Sequence, residues 1–125
     1  AAANKGIVVG TGNKVEDFGV GFYTKYGDGG VDISPIADLL KSEVRMLAKK
    51  LNILDEIIEA KPTDGLWDDN RNDEDQLGMT YDEIEDAMLR TDSKSFKDYQ
   101  KIRSQNIHKM EPIPICMIDE KIKTN

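Results

Sequence analysis

The chain has 125 residues, 38% of them hydrophobic and 33% charged, with a formal net charge of −7. That length holds one modest domain or a portion of a larger one, and the acidic balance gives no long-range attraction for nucleic acid or anionic lipid, so neither is expected as a partner. No apolar run approaches the ~20 residues that span a bilayer, no signal peptide is visible, and the single cysteine, Cys116, has no internal disulfide partner, which together predict a cytoplasmic protein.

Ala1–Ala3 read as the end of a helix that lacks a beginning. Ile7, Val8 and Val9 then form a continuous apolar run between Gly6 and Gly10, the pattern of a strand buried on both faces in a parallel sheet. One strand cannot form a sheet alone, so further strands are expected before residue 1. After it comes GTGNKVEDFG. A Walker A loop requires G-x-x-x-x-G-K-[ST], and Lys14 follows Asn13, not glycine. A dinucleotide fingerprint requires G-x-G-x-x-G, and Val15 occupies the third glycine position. Thr11 and Glu16 nevertheless follow the carboxyl end of the predicted strand, the edge at which open parallel sheets bind ligands. A threonine can hydrogen-bond a nucleotide, and a carboxylate can hold Mg²⁺.

In FYTKYGDGGVDISP, Lys25 lies between aromatic residues, and the glycines around Asp28 are expected to adopt unusual backbone geometry; the plain alternative is a solvated turn. Val31–Ile33 is a weak strand candidate. KSEVRMLAKKLNI carries a helical stripe at Val44, Leu47, Ala48 and Leu51, with Ser42 as its expected cap and Lys41 at the N-terminus, where anions bind. Leu54, Ile57 and Ile58 predict a further helical turn. Lys61 to Met79 reads as a long acidic loop with a lone Trp67, either solvated or a lid over a polyphosphate site. Thr80 and Glu83 form a T-x-x-E capping box that opens a helix with Ile84, Ala87 and Met88 on its buried face. Asp92 or Ser93 is expected to cap a last helix bearing Phe96, Tyr99, Ile102 and Ile107. Ile113–Met117 contains Pro114, which predicts an edge strand or an extended tail, and its apolar neighbours predict a buried Cys116.

The stretches GTGNKVEDFGVGFYTKYGDGGVDISPIADLLKSEV, KPTDGLWDDNRNDEDQLGMTYDEIEDAM and IHK occur in order through residues 6–110. Together they closely resemble the C-terminal half of the ammonia-dependent NAD synthetases, a family of N-type ATP pyrophosphatases. The resemblance implies an α/β fold: the C-terminal part of a Rossmann-like, adenine nucleotide α-hydrolase-type parallel-sheet domain, mostly helical in this portion, with one clear buried strand. It implies that residues 1–125 are the C-terminal portion of a single domain. It also implies ATP-dependent amidation of deamido-NAD by ammonia through an acyl adenylate, with Mg²⁺ assisting, in a homodimer.

By the same resemblance, Thr11, Lys41 and Thr63 match ATP-contacting positions. Glu16 matches a magnesium ligand, with Asp17 as the alternative. Lys25, Asp32, His108 and Lys109 match positions that contact the dinucleotide substrate, and Asp64 to Gly78 matches a mobile active-site loop. The SGGxDS pyrophosphate loop of the family occurs nowhere in these residues, nor does its aspartate, a second magnesium ligand. The expectation is therefore half of a split pocket that is inactive by itself. Two alternatives are a non-catalytic binding or assembly module and the synthetase portion of a glutamine-dependent NAD synthetase. A GMP synthetase would share the missing loop but not KYGDGG or PTDGLW.

Overall fold

The computed structural model describes residues 1–63, 65, 68 and 71–123. Asp64, Leu66, Trp67, Asp69 and Asn70, within the predicted acidic loop, lie outside the described residues. Helices dominate: α1 (Lys41–Lys50), α2 (Asp55–Ile58), α3 (Asp73–Leu77), α4 (Tyr81–Leu89), α5 (Phe96–Met110) and α6 (Glu120–Lys123), preceded by a 3₁₀ turn at Ala2–Asn4 and a π-helical segment at Lys14–Val20.

The core forms where the π-helical segment, α4 and α5 meet. Val15, Val20, Met79, Tyr81, Ile84, Ala87 and Tyr99 are buried there, with Phe22, Leu40, Leu77, Met88, Phe96 and Ile102 packed around them. The predicted α4 face, Ile84 and Ala87 with Met88 half-buried, is thus correct. Its first turn is closed by the predicted box: Thr80 Oγ1 accepts the Glu83 N–H at 3.2 Å, and the Glu83 carboxylate accepts the Thr80 N–H at 2.9 Å. The Thr80 N–H and then the Thr80 hydroxyl, both donated to that carboxylate, hold the Glu83 carboxyl below its ordinary value.

The π-helical segment is invisible to apolar periodicity. It starts at Asn13, whose buried side chain accepts the N–H groups of Val15 and Glu16 at 3.0 and 3.2 Å, satisfying donors that a helix start leaves open. It stops at Gly21, with φ of +66°. A Cβ there would meet Asn106 Cβ at 2.7 Å and Met110 Cε at 2.8 Å, so both the left-handed backbone and the approach of α5 require glycine. Cations from α5 then close the end: Arg103 donates to the carbonyls of Phe18 and Gly19, and Lys109 to that of Gly21 at 2.9 Å. Positive charge at a helical C-terminus is favourable.

Several expectations are corrected. Ile7, Val8 and Val9 are 61%, 43% and 52% exposed. They make one isolated parallel bridge, Val9 to Ile33, and no strand forms among the described residues, because only residues 31–33 lie beside them. The stripe on α1 is open in part, with Leu47 and Leu51 exposed and Val44 and Ala48 half-buried. Ser42 does not cap α1 from its start; the helix begins at Lys41, and the Glu43 carboxylate accepts the Leu40 N–H at 2.7 Å.

Glycines 27, 29 and 30 have no positive φ. Gly29 is needed for space, since a Cβ would lie 2.4 Å from the Tyr23 ring. The acidic loop contains α3, opened by an Asn72–Asp75 box. Before α5, Ser93 Oγ accepts the Ser95 N–H at 3.3 Å, whereas Asp92 pairs with Arg90. Residues 113–117 form neither helix nor strand and are exposed, and Cys116 is exposed with them, since no described element covers this segment. No described helix is long and apolar enough to cross a membrane.

Gly78 also has a positive φ, +69°, but nothing within 4 Å of its missing Cβ. Gly78→Ala should therefore lower stability by about 1 to 2 kcal/mol, the cost of the left-handed backbone alone, and Gly21→Ala by more than that, since its Cβ also clashes with α5. Urea midpoints of the two variants should rank accordingly.

Candidate nucleotide site

Glu16 lies in the middle of the π-helical segment and is half-buried. Its Oε1 accepts two donors: Lys41 Nζ at 2.9 Å and the Tyr81 hydroxyl at 2.6 Å. Among the described residues, Oε2 receives only the Asn13 N–H, at a longer 3.4 Å. Burial pushes the Glu16 carboxyl upward, but the hydrogen bonds from Tyr81 and Lys41 outweigh it, and the result lies below the ordinary value of 4.5. Lys41 also sits over the Tyr81 ring, 4.8 Å from its centroid, a cation–π contact. Tyr81 shares its one hydroxyl proton between Glu16 and Asp73 Oδ2, the latter at 3.2 Å. Burial first, and then these carboxylates, drive the phenol well above its usual range.

Two cavities flank this group. One, of about 300 Å³, is lined by Thr11, Glu16, Asp17, Tyr23, Thr63 and Asp73 among others. It is polar and acidic. Burial, then the negative charges of Glu16 and Asp28, raise the Asp17 carboxyl, and burial with Asp17 and Asp28 raises the Tyr23 phenol. Gly12 permits this arrangement: its missing Cβ would lie 2.1 Å from Asp17 Oδ1. The second cavity, of about 360 Å³, has an apolar lining of Val44, Ala48, Ile53 and Ile57 with Lys41, Arg45 and Lys61 as its cations. Thr63 borders both. Its hydroxyl accepts the Gly65 N–H at 3.1 Å and donates to the Arg71 carbonyl at 3.3 Å.

Thr11, Glu16, Lys41 and Thr63, selected from sequence, are thus brought together. For the magnesium expectation, carboxylates of Glu16, Asp17, Asp28 and Asp73 line one cavity, a hard-oxygen donor set. Among the described residues no three His, Cys, Asp or Glu side chains converge to hold an ion alone. The oxygen donors are of the type that Mg²⁺ accepts, an ion that binds proteins through one or two carboxylates and takes its remaining ligands from phosphate and water.

The remaining sequence-selected residues lie outside both cavities. Lys25 Nζ donates to the carbonyls of His108 and Glu111 at 2.5 and 2.9 Å, closing the C-terminus of α5. Lys109, besides holding Gly21, sits 5.7 Å from the Tyr23 ring centroid. His108 is exposed. Asp32 accepts the Val8 N–H at 2.7 Å, joining the two segments of the parallel bridge.

Sequence reasoning missed Asn13, Asp73, Tyr81 and Glu85, all buried. For Asn13 the N-x-x-E spacing to Glu16 was an available signal; the others lie on faces that only packing identifies.

A model of the NAD synthase family matches residues 1–121. An NH₃-dependent NAD⁺ synthetase of Archaeoglobus fulgidus is 40% identical over 118 residues, 90% of this chain and 47% of that protein. One from Methanococcoides burtonii is 51% identical over 82 residues, 66% of this chain and 30% of that protein. The chain therefore spans less than half the length of these relatives. Among solved structures, an NMN synthetase from Francisella tularensis superposes with a TM-score of 0.84 at 33% identity, over 94% of this chain and 50% of that one. An NH₃-dependent NAD synthetase from Campylobacter jejuni, in complex with nitrate, gives 0.63 at 26% identity, over 93% and 48%.

The stability that Glu16 draws from Lys41 and Tyr81 is present above pH 4.5 and is lost as pH falls through its lower folded value. The stability difference between wild type and Glu16→Gln should therefore shrink from pH 5 to about pH 3. Urea titrations at each pH measure it; a difference that is flat across this window contradicts the assignment.

Proposed function

Because this chain belongs to the NAD synthase family, we propose that it carries the nucleotide-gripping portion of an ammonia-dependent NAD synthetase. In the proposed reaction a carboxylate oxygen of deamido-NAD attacks the α-phosphorus of ATP and pyrophosphate departs. Ammonia then adds to the acyl carbon, and AMP leaves with the bonding pair as NAD forms. A free carboxylate is a poor acyl donor, and adenylation supplies its leaving group.

The observation that carries this reading is the meeting of two unlike cavities at Thr63, with the Lys41–Glu16 pair between them. The apolar cavity and its cations suit an adenine base and phosphates. The acidic cavity suits a cation that accompanies phosphate. In this proposal Thr11, Lys41 and Thr63 contact ATP, and Glu16 holds Mg²⁺, with Asp17 as the alternative ligand. The bound ion would neutralise charge on the departing pyrophosphate. Lys25, Asp32, His108 and Lys109 are proposed to face the dinucleotide, in a homodimer in the cytoplasm. The parallel Val9–Ile33 bridge, beside exposed Ile7 and Val8, supports a place in a Rossmann-like parallel sheet as the C-terminal portion of one domain.

A second reading is favoured by the superposition on the Francisella NMN synthetase: the acyl acceptor would be the mononucleotide counterpart, and the product NMN. Initial rates of the full-length protein with each acceptor separate them. A kcat/KM at least about tenfold higher for deamido-NAD, a gap of ~1.4 kcal/mol in transition-state binding, is expected; the reverse ratio establishes the mononucleotide reading. Replacing ammonia by glutamine in the same assay tests the nitrogen donor.

These 125 residues contain no SGGxDS loop, so the chain alone is expected to release no pyrophosphate from labelled ATP. Release above background would overturn the division of labour proposed here.

A further inference from the structure

Helix α4 directs two buried polar side chains, Tyr81 and Glu85, at the surroundings of Lys41. They are one helical turn apart and so share a face. Tyr81 has its hydroxyl on Glu16 Oε1 at 2.6 Å and its ring beneath Lys41 Nζ at 4.8 Å. Glu85 accepts both donors of the next residue, Ser42: its N–H at 2.9 Å on Oε1 and its hydroxyl at 2.6 Å on Oε2. A buried carboxylate is costly unless fully hydrogen-bonded, and both of its oxygens are engaged by Ser42. The N–H of Ser42 is one of the donors that the first turn of α1 leaves open. A carboxylate at that end is also favoured by the helix dipole. The cap of α1 is therefore supplied from a different helix, forty-three residues away in sequence.

We propose that Tyr81 and Glu85 are positioning residues for the nucleotide site: α4 fixes the start of α1 through Glu85 and the Lys41–Glu16 pair through Tyr81. Lys41 is thereby held at the junction of the two cavities. This rests on the reading of that junction as the ATP site. Lys41 is the first residue of α1 and Ser42 the second, so a shift of the Ser42 backbone moves the root of the lysine directly. A lysine has a flexible stem and no fixed geometry of its own. The ring below it and the carboxylate beside it limit where its ammonium can rest, and Tyr81 supplies the first and orients the second. With Oε1 of Glu16 already taking two donors, Oε2 is the oxygen with capacity for a further partner.

The test uses the full-length protein with Tyr81→Phe, Glu85→Ala and Glu85→Gln. Tyr81→Phe keeps the ring and loses only the hydroxyl. Gln at 85 can still accept the Ser42 N–H and can donate to its hydroxyl, so it serves as the conservative rescue. Tyr81→Phe and Glu85→Ala should each raise KM for ATP by about tenfold, the effect of losing one charge-assisted hydrogen bond. KM for the acyl acceptor should be unchanged. Glu85→Ala should also speed hydrogen exchange at the Ser42 amide, and Glu85→Gln should restore both readouts.

A purely structural role would raise both KM values together as the thermal midpoint falls, and that pattern overturns the proposal. So does an unchanged KM for ATP in both variants. A wild-type protein that binds no ATP would sink the reading of function itself, an outcome identified before any variant is made.

Discussion

A single half-buried carboxylate oxygen organises this structure. Glu16 Oε1 lies where an ammonium and a phenol from two distant parts of the chain converge on the π-helical segment. Removing a carboxylate from water is unfavourable unless its lone pairs are met by donors. Lys41 and Tyr81 meet them, and each is in turn held by something else. Tyr81 is packed in the core, and its N–H is accepted by Glu74 of α3 at 2.8 Å. Lys41 heads a helix whose open N–H is accepted by Glu85. With side-chain exposures of 21% and 15%, the Lys41–Glu16 pair lies between the surface regime, worth roughly 0–1 kcal/mol, and the buried regime, in which losing one partner costs about 3–5 kcal/mol. Its geometry thus sets local order as well as local charge.

The helical ends show the same economy of donors and acceptors. The π-helical segment is closed at its start by a buried asparagine and at its end by two cations from α5. The C-terminus of α5 is closed by Lys25, from the loop that the π-helical segment leads into. The two segments therefore cap each other reciprocally around the glycine contact at position 21. A one-carbon change at that contact would separate both caps. Lys25 and Lys109, selected from sequence for a substrate role, already have structural tasks in this arrangement, and a ligand approaching them would meet ammonium groups whose positions are fixed.

The apolar faces divide differently. The faces of α4 and α5 are closed over the core, whereas those of α1 and α2 and the run at residues 7–9 remain open in part: Leu51, Leu54 and Ile57 are 63%, 65% and 63% exposed. The stripe on α1 is as regular as those of the buried helices. Periodicity reports that a face prefers to leave water, not what covers it.

What could be read in the sequence by itself were the elements whose cause is local. The Thr80–Glu83 box follows from side chains within four residues of the backbone groups that they satisfy, and the short turn after Leu54 from the local spacing of apolar residues. Thr11 and Glu16 stood out by following the apolar run and Lys41 by heading a helix, whereas Thr63 came to notice only through the family resemblance. Tertiary structure alone decided that Glu16 faces Lys41 across twenty-five residues and Tyr81 across sixty-five, that Ser42 is capped by Glu85, and that the stripe on α1 stays open in part. Each of these depends on which faces are pressed together, and burial energy selects that from the whole chain rather than from any window of it.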